Sequence, residues 1–600
     1  MGVILGGIYI PQIIGYHNTF IFCSIGLIAL GLIAAFLRFK TQETKERKQE
    51  THLEVEDIPK QSVYLIIFCS GLFSIILEVI ILIYFRQVVG ISQHVVAAVL
   101  FSFIVGLGLG SMFASRWRRK NTSVVGLLKR SLLLCGILCL AYPFIFYLLQ
   151  AHPVSFQSLS LSARTAWFII CATLFLTPIL IFVGSVFPLA WDIFQRNNEE
   201  HGQVFGSMSF VNKMGCCIGA LLAPFVLMPW VGLPATMMIV GSGYLALILV
   251  LKFQFRKLPK TYILLLVYIV ICFAFQPSPV HLKKGENLLG VYQGADGVVS
   301  AFEGEDGSRH ILFNQNFVLN GTGKSLVWQK QESWIPLILH PDPKNISFIG
   351  LASGVSAAAV LDFPISRLEA VELVPEVIIT AKNHFSEWNQ KLFEDNRVSI
   401  VHHDGRQIIQ ASPDNYDVII TTLLQPDQDG VTNIYSKDFF EIAKEKLSDD
   451  GIFISWIPFY QMDHELSGII MRTFEESFSH AIVIQGNMDP LWPAIGLVGS
   501  NSPIKFGTSY LEDRLSKFSE LQNESVFMKS AANFQLLLVG DLKANREAFQ
   551  QYPLNTDNMP MFGFLGAKSI QPGERLRGIN YLNWVDQKFT IKDFPSLDRG

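Results

Sequence analysis

Charged residues are scarce in this sequence. Asp, Glu, Lys and Arg make up 16% of its 600 residues, whereas 50% of the residues are hydrophobic. Average soluble domains contain about 25% charged residues. Basic residues are not in excess either, because the formal net charge is -3, so the sequence lacks the electrostatic signature of a nucleic-acid-binding protein. Low charge and high apolar content indicate that part of the chain lies in a lipid bilayer.

Cysteine is absent from the chain after residue 272. The eight cysteines lie in apolar segments, and none has the spacing to histidine that zinc sites use. They are predicted to be small apolar side chains in helix packing rather than disulfides or metal ligands. The adjacent His402 and His403 also lack a further His, Cys or carboxylate cluster that would complete a site. The sequence therefore predicts no metal.

Long apolar runs dominate residues 1–276, which are predicted to form a multi-pass transmembrane domain in the cell membrane. A helix needs about 20 apolar residues to cross the hydrocarbon layer. The runs that reach this length are 18–38, 63–87, 93–115, 124–149, 166–190, 206–228 and 233–252. The run 261–276 is shorter, so the sequence leaves open on which side of the membrane the rest of the chain lies.

Two parts of the membrane domain resemble each other. Residues 11–40 and 229–255 both place a proline and a glycine before a threonine, and in both an apolar span then ends in basic residues. The matched positions are Gly15 with Gly232 and Thr19 with Thr236. We expect two repeats, of which the one at 1–40 is incomplete, so that the sequence starts part-way into a larger membrane domain.

From residue 285 the pattern becomes that of a soluble α/β protein. Residues 285–345 predict a small β segment of antiparallel strands, with a turn at Asn320-Gly321, and then a helix. Residues 346–570 alternate strands and helices, which is typical of a doubly wound, Rossmann-like sheet. Residues 571–600 form a C-terminal tail. The predicted fold class is a multi-pass α-helical membrane domain followed by an α/β Rossmann-like domain.

A glycine-rich turn follows the first strand of this α/β domain. It runs from Gly350 through Ser353 to Gly354 and is followed by a second apolar run that ends at Glu372. Glycines let the backbone approach a nucleoside closely, and a carboxylate about 20 residues further on can accept its ribose hydroxyls. An ordinary turn of a parallel sheet would give the same pattern, and the two interpretations are equally supported at this point.

A second acidic side chain follows the third strand. Asp404 could accept a hydrogen bond from an adenine amino group, and Gly405 would leave room for the ring. The alternative is that Asp404 only caps the next helix, because aspartate is favoured at that position.

Several longer motifs resemble one family. They are FIGLASG at 348–354, VELVPEV at 371–377, DGR at 404–406, YDVII at 416–420, NIYSKDFFEIAKEKLSDDGIFISW at 433–456 and NTDNMP at 555–560. With these motifs the chain resembles the spermidine synthase (polyamine aminopropyltransferase) family, and in particular the bacterial type that is fused to a transporter-like membrane domain. The resemblance covers roughly residues 285 to 570.

The resemblance implies a fold similar to that of S-adenosylmethionine methyltransferases. It also implies that an aminopropyl group passes from decarboxylated S-adenosylmethionine, as cosubstrate, to an amine such as putrescine. In that family's terms Gly350 and Gly354 border the nucleoside, Glu372 binds the ribose, and Asp404 with Gly405 binds the adenine. The attacking amine must lose its proton, and a carboxylate at the end of the fourth strand, helped by a tyrosine, suits that task.

The chain departs from the family pattern after that fourth strand. Thr422 occupies the position of the expected acid, and a threonine hydroxyl cannot act as a general base near neutral pH. Asp427 is close by and could substitute, and Tyr435 stands at the family's tyrosine position. Thr422, Asp427 and Tyr435 are therefore the predicted catalytic group.

The favoured function is that of a membrane-bound spermidine synthase-like protein, although the sequence leaves open whether it is an enzyme. Two alternatives remain: a catalytically silent nucleoside-binding module attached to a transporter-like membrane domain, and an S-adenosylmethionine-dependent methyltransferase. The predicted partners are a small-molecule amine and the lipid bilayer, and association of two copies through the soluble domain is left open.

Overall fold

The computed structural model describes residues 5–38, 58–90, 92–119, 123–152, 159–195, 201–251, 260–315, 317–390, 392–426, 431–566 and 573–599. The chain divides into two compact units. The first comprises Met1–Phe85, His94–His152 and Thr165–Pro279, and the second comprises Arg86–Gln93, Pro153–Arg164 and Val280–Gly600.

The first unit consists of helices. They are α1 (Ile10–Arg38), α2 (Lys60–Val89), α3 (Gln93–Arg118), α4 (Val124–Ala151), α5 (Leu161–Gln195), α6 (His201–Leu222), α7 (Met228–Val231), α8 (Leu233–Val250) and α9 (Lys260–Ala274). A π-helical turn joins α6 to α7, and among the described residues seven helical segments are long and apolar enough to cross a membrane. This confirms that the seven long apolar runs form helices. Helix α9 has 15 residues and is about 22 Å long, shorter than the roughly 30 Å of a hydrocarbon core.

The two segments that resemble each other in sequence share one local structure. Gly15 has φ 78° and ψ 166°, and Gly232 has φ 83° and ψ 167°. Each glycine is followed by a threonine, Thr19 or Thr236, whose hydroxyl donates to the glycine carbonyl at 2.7 Å. Only glycine adopts this backbone conformation readily, so the matched glycines mark the same kink in both segments.

Small residues allow the membrane helices to approach closely. A Cβ added to Gly110 of α3 would lie 2.5 Å from the carbonyl oxygen of Ile181 in α5. A Cβ on Gly215 of α6 would lie 2.2 Å from the carbonyl oxygen of Phe68 in α2. The glycine-rich stretches therefore serve backbone-to-backbone packing, which is how membrane helices associate where the lipid offers no hydrophobic driving force.

We expect Gly110→Ala to destabilise the protein, because even one methyl group would overlap the α5 backbone. Overpacking of this kind costs about 1–3 kcal/mol. Gly108 lies on the same helix with nothing within 4 Å of an added Cβ, so Gly108→Ala is the matched control and should be neutral. Thermal unfolding of the detergent-solubilised chain measures both variants. Equal unfolding midpoints for the two variants would contradict the close approach of α3 and α5.

The second unit contains a four-stranded antiparallel sheet, in which neighbouring strands follow one another in the chain. They are β1 (Asn287–Gln293), β2 (Val298–Glu303), β3 (Arg309–Phe313) and β4 (Phe317–Gly321), and helix α10 (Leu326–Leu339) follows them. The predicted turn at Asn320-Gly321 is wrong, because both residues belong to β4. The chain turns earlier instead, at Asn314 and Gln315, which have φ 48° and 64°. Asn314 tolerates this conformation, and its side-chain oxygen accepts from Val298 N at 3.0 Å.

The main sheet has eight strands in the order β13-β10-β11-β9-β8-β5-β6-β7. Its strands are β5 (Asn345–Ile349), β6 (Arg367–Glu372), β7 (Val398–His402), β8 (Tyr416–Thr421), β9 (Leu447–Pro458), β10 (His480–Gln485), β11 (Ala494–Ser500) and β13 (Leu538–Asp541). The five strands from β9 to β7 are parallel, whereas β11, β10 and β13 add antiparallel pairs. The short strands β12 (Ile504–Lys505) and β14 (Leu597–Asp598) pair separately. The Rossmann-like prediction is confirmed.

Helices and hydrophobic cores cover both faces of this sheet. The helices are α11 (Val355–Ala358), α12 (Pro375–His384), α13 (Gly405–Ala411), α14 (Lys437–Glu445), α15 (His464–Ser477), α16 (Thr508–Lys517), α17 (Leu521–Glu524), α18 (Ala531–Gln535), α19 (Met561–Leu565) and α20 (Ile579–Lys588). One core contains Trp334 and Phe348, and the other contains Ile349 and Phe453. Consecutive residues of β5 thus point into different cores, which is why the strand reads as an unbroken apolar run.

The order of the strands reverses at β5. The chain proceeds from β5 to β6 and β7 on one side and then returns to place β8 and β9 on the other side. Such a reversal opens a crevice at the carboxyl ends of the strands, where ligands of open α/β sheets bind. The crevice between β5 and β8 is therefore the candidate functional site.

Candidate functional site

In the turn after β5, every second residue from Gly350 to Gly354 has a backbone φ in the left-handed region. Gly350 has φ 92°, Ala352 has φ 49° and Gly354 has φ 82°. The turn is tight enough for Gly350 N to donate to the carbonyl oxygen of Val371 in β6 at 2.9 Å. Alanine adopts this conformation at a cost of about 1–2 kcal/mol. The turn therefore forms although its central residue is not glycine.

Gly350 and Ser353 connect this turn to two other elements. A Cβ added to Gly350 would lie 2.5 Å from Cγ2 of Thr422, so the absence of a side chain lets the loop after β8 approach. The buried hydroxyl of Ser353 donates to Oε1 of Gln329 in α10 at 3.2 Å. The turn is thus enclosed by β8 on one side and by α10 on the other.

Glu372, the predicted ribose ligand, lies at the end of β6. Its Oε2 accepts from Leu351 N at 2.8 Å and its Oε1 accepts from Val374 N at 3.0 Å. Burial raises the pKa of Glu372, and the backbone N–H groups of Val374 and Leu351 offset part of that effect. The backbone N–H groups of Ala352 and Leu373 also lower this pKa, so four N–H groups of the turn and of the segment after β6 surround the carboxylate. The half-buried carboxylate is thus held rigidly across the glycine turn.

Asp404 follows β7 at the same edge of the sheet as Glu372, because His403 N donates to the carbonyl oxygen of Glu372 at 3.1 Å. Oδ1 of Asp404 accepts from Arg406 N at 2.8 Å and from Gln407 N at 3.4 Å. The side chain of Asp404 therefore caps α13, which is the alternative role that the sequence predicted for it. A Cβ on Gly405 would lie 2.5 Å from Cγ2 of Ile349, so the space beside Gly405 is filled by the end of β5.

Arg406 joins two of the sequence motifs. Its guanidinium donates to both carboxylate oxygens of Asp557, at 2.7 and 2.6 Å. Burial favours a higher pKa for Asp557, but hydrogen bonds from Arg406 and Ser436 outweigh it, so the pKa of Asp557 is lowered. The bidentate pair fixes the segment after β7 to the segment before α19.

Arg406→Lys is expected to lower stability by about 1 kcal/mol at neutral pH, because lysine cannot form the two parallel bonds. The pKa of Asp557 is depressed, so this contribution is present above the unfolded value of about 3.9 and is lost as the pH falls through the folded pKa. Thermal unfolding of the wild type and the variant at pH 7 and at about pH 2, below the depressed pKa, tests this. A difference between the two that persists under acidic conditions would contradict it.

Thr422 and a residue that the sequence did not single out form a buried pair. Oγ1 of Thr422 donates to Oε2 of Glu332 in α10 at 3.0 Å. The side chains are nearly inaccessible, since Thr422 is 7% and Glu332 is 5% exposed. Burial raises the pKa of Glu332 to about 7, and hydrogen bonding to hydroxyl groups offsets part of that rise. The signal in the sequence was a carboxylate among the apolar residues of a helix, which is costly unless it has a partner.

Tyr435 is fully buried beneath the loop after β8. Its hydroxyl donates to the carbonyl oxygen of Leu424 at 2.9 Å and lies 3.3 Å from that of Trp456. Burial raises the pKa of Tyr435 well above the usual range. The structure therefore uses this hydroxyl to hold the loop that carries Thr422. Asp427, the proposed substitute acid, lies outside the described residues.

Two family models match the chain. Residues 331–485 match the spermine/spermidine synthase domain. This part of the chain is therefore similar to spermidine synthase domains. Residues 1–220 match the Major Facilitator Superfamily, so a transporter-like match precedes the spermidine synthase match in the sequence. Together with the seven apolar helices, this match makes the chain a multi-pass membrane protein.

Curated relatives of the spermidine synthase-type domain are named polyamine aminopropyltransferase. The one from Corynebacterium efficiens is 24% identical over 318 residues, covering 50% of this chain and 60% of its own length. The one from Saccharolobus islandicus is 28% identical over 192 residues, covering 30% of this chain and 64% of its own length. The chain thus spans less than two thirds of either relative. The spermidine synthase structure from Thermotoga maritima aligns with a TM-score of 0.32 and 19% identity, over 36% of this chain and 73% of that one.

Proposed function

We propose that the spermidine synthase-type domain transfers an aminopropyl group from decarboxylated S-adenosylmethionine to a small amine such as putrescine, at the cell membrane. The observation that carries this proposal is the position of Glu372, whose carboxylate is fixed over the glycine turn at the strand reversal by Leu351 N and Val374 N. A carboxylate in this place can accept both ribose hydroxyls of a nucleoside. The relatives named polyamine aminopropyltransferase supply the reaction class.

The chemistry needs little from the protein beyond positioning and one proton transfer. The sulfonium already activates the carbon that is attacked, so the amine must be free of its proton and lie in line with the carbon–sulfur bond. Glu372 would hold the ribose of the nucleoside at the crevice. The backbone of the loop from Gly350 to Gly354 would border the nucleoside, and Asp404 would lie near its base. The amine would then approach from the side of Thr422, which borders Gly350.

A silent nucleoside-binding module is the second candidate, and Thr422 favours it because no carboxylate stands at the end of β8. Calorimetry on the full detergent-solubilised chain with decarboxylated S-adenosylmethionine, S-adenosylmethionine and methylthioadenosine separates the candidates when it is combined with an assay for spermidine formation. Aminopropyl transfer predicts tighter binding of the decarboxylated form and product from putrescine. Binding without product indicates the silent module, and preference for S-adenosylmethionine indicates a methyltransferase.

A further inference from the structure

We propose that Glu332 is the proton acceptor that replaces the missing strand-end acid, and that it acts through the hydroxyl of Thr422. The proposal rests on the proposed aminopropyl transfer and names the group that would make it work in this chain. It assigns a functional role to α10, an element that precedes the Rossmann-like sheet.

The first support is the orientation of α10. Gln329 and Glu332 are three residues apart and therefore lie on one face of the helix. Gln329 contacts the hydroxyl of Ser353 in the glycine turn, and Glu332 contacts the hydroxyl of Thr422 at the end of β8. The polar face of this mostly buried helix is thus turned toward the two loops that form the crevice.

The second support is how firmly the carboxylate is held. The indole N–H of Trp456 in β9 donates to the backbone oxygen of Glu332 at 2.9 Å, and Trp456 is itself fully buried. Glu332 therefore sits on a turn of helix that is anchored to the central sheet. An anchored side chain loses little further freedom when it takes part in a proton transfer.

The third support is the electrostatic environment. Burial raises the pKa of Glu332 to about 7, so the carboxylate and the carboxylic acid are both populated near neutral pH. The hydroxyl groups of Ser356 and Thr422, which hydrogen bond to Glu332, are neutral. Burial raises the pKa of Tyr460, and its phenol is close enough for the charge of Glu332 to raise that pKa further and for the charge of Arg577 to lower it. A base whose pKa lies near the working pH is the most effective in proton transfer.

The step can be written with all atoms accounted for. The substrate ammonium gives a proton to Oγ1 of Thr422 while Thr422 gives its own proton to Oε2 of Glu332. The neutral amine then attacks the carbon bound to the sulfonium, so that a C–N bond forms and the C–S bond breaks. The sulfur keeps the electron pair and leaves as a neutral thioether. The new secondary ammonium retains the positive charge, and Glu332 returns its proton to solvent after product release.

A structural role is the alternative, in which Glu332 stays protonated and merely fills hydrogen bonds. The two roles differ in three variants of the full chain. Glu332→Gln keeps the shape but cannot accept a proton, and Thr422→Val interrupts the connection while keeping the acid. The double variant Thr422→Asp with Glu332→Gln moves the carboxylate to the strand end. Glu524→Gln is the matched control, because Glu524 is half-exposed and contacts α10 through an ion pair with Lys330.

The expected result is a loss of kcat of about 100-fold or more in Glu332→Gln and in Thr422→Val. Affinity for methylthioadenosine should change less than about 3-fold, which shows that each variant is folded. In the wild type kcat should fall below about pH 7, and this acid limb should be absent in Glu332→Gln. The double variant should recover at least about 10-fold over Glu332→Gln, and Glu524→Gln should match the wild type.

The outcomes separate the two proposals. If the wild type makes product and Glu332→Gln makes it equally well with the same pH profile, the role of Glu332 is refuted and aminopropyl transfer stands. If the wild type makes no product at any pH, aminopropyl transfer falls and the role of Glu332 falls with it.

Discussion

Replacing Glu372 with alanine is expected to weaken the binding of methylthioadenosine at least about 100-fold. A hydrogen bond to a charged group contributes about 1.5–3 kcal/mol, and the carboxylate would accept two of them from the ribose. Each 1.4 kcal/mol corresponds to a factor of ten in the dissociation constant. Calorimetry on the detergent-solubilised chain measures the change directly.

Loss of affinity could also arise from the turn itself, since Glu372 accepts from Leu351 N and Val374 N. Glu372 and Val374 are half-buried, so water can reach Val374 N, whereas Leu351 is only 2% exposed and its N–H would lose its partner. That loss costs about 1–3 kcal/mol, which is small enough for the fold to persist. A thermal midpoint close to that of the wild type would show this. Glu387→Ala is the control, because Glu387 is an exposed glutamate in the turn that follows α12. Unchanged affinity in a folded Glu372→Ala protein would remove the ribose-binding role.

Asn555→Ala is expected to give the largest loss of stability among the polar substitutions considered. Asn555 is fully buried, and its amide donates to the carbonyl oxygens of Thr432 and Tyr435 at 3.0 and 2.8 Å. Its side-chain oxygen accepts from Phe562 N at 3.3 Å. Alanine would leave these three buried groups without partners, at about 1–3 kcal/mol each before relaxation. We expect a net loss of about 3–5 kcal/mol.

The thermal midpoint of the soluble domain in the full chain should fall by about 6–12 °C, and hydrogen exchange should accelerate around residues 432–440. Asn501→Ala is the matched control, because Asn501 is exposed and makes one bond, to the carbonyl oxygen of Lys444 at 3.2 Å. It should change stability by less than about 1 kcal/mol. A similar effect of both substitutions would argue against the central position of Asn555.

The strands and the glycine turn could be predicted because their signals are local. Residues 346–349 and 418–420 are buried from both faces, so they appear as unbroken apolar runs whatever surrounds them. Glycine at 350 and 354 likewise reports a backbone conformation that other residues avoid.

The partners of the site residues could not be predicted in the same way. Which side chain meets Thr422 depends on the register of α10 against β8 and β9, two elements about 90 and 120 residues away in sequence. The space beside Gly405 was expected to suit a ring, but the side chain of Ile349 fills it. The turn preference of Asn320-Gly321 predicted a turn there, but the chain turns at Asn314, whose side chain accepts a hydrogen bond from the neighbouring strand. In each case a tertiary contact decided the outcome.

The alanine at position 352 has a consequence for where recognition resides in this chain. Its left-handed backbone runs against its own conformational preference, so the loop owes its shape to the neighbouring strands. An excised peptide with the same residues would relax into a different path. Affinity for a nucleoside would accordingly depend on the folded sheet, and it would be lost if β6 or β8 unfolded.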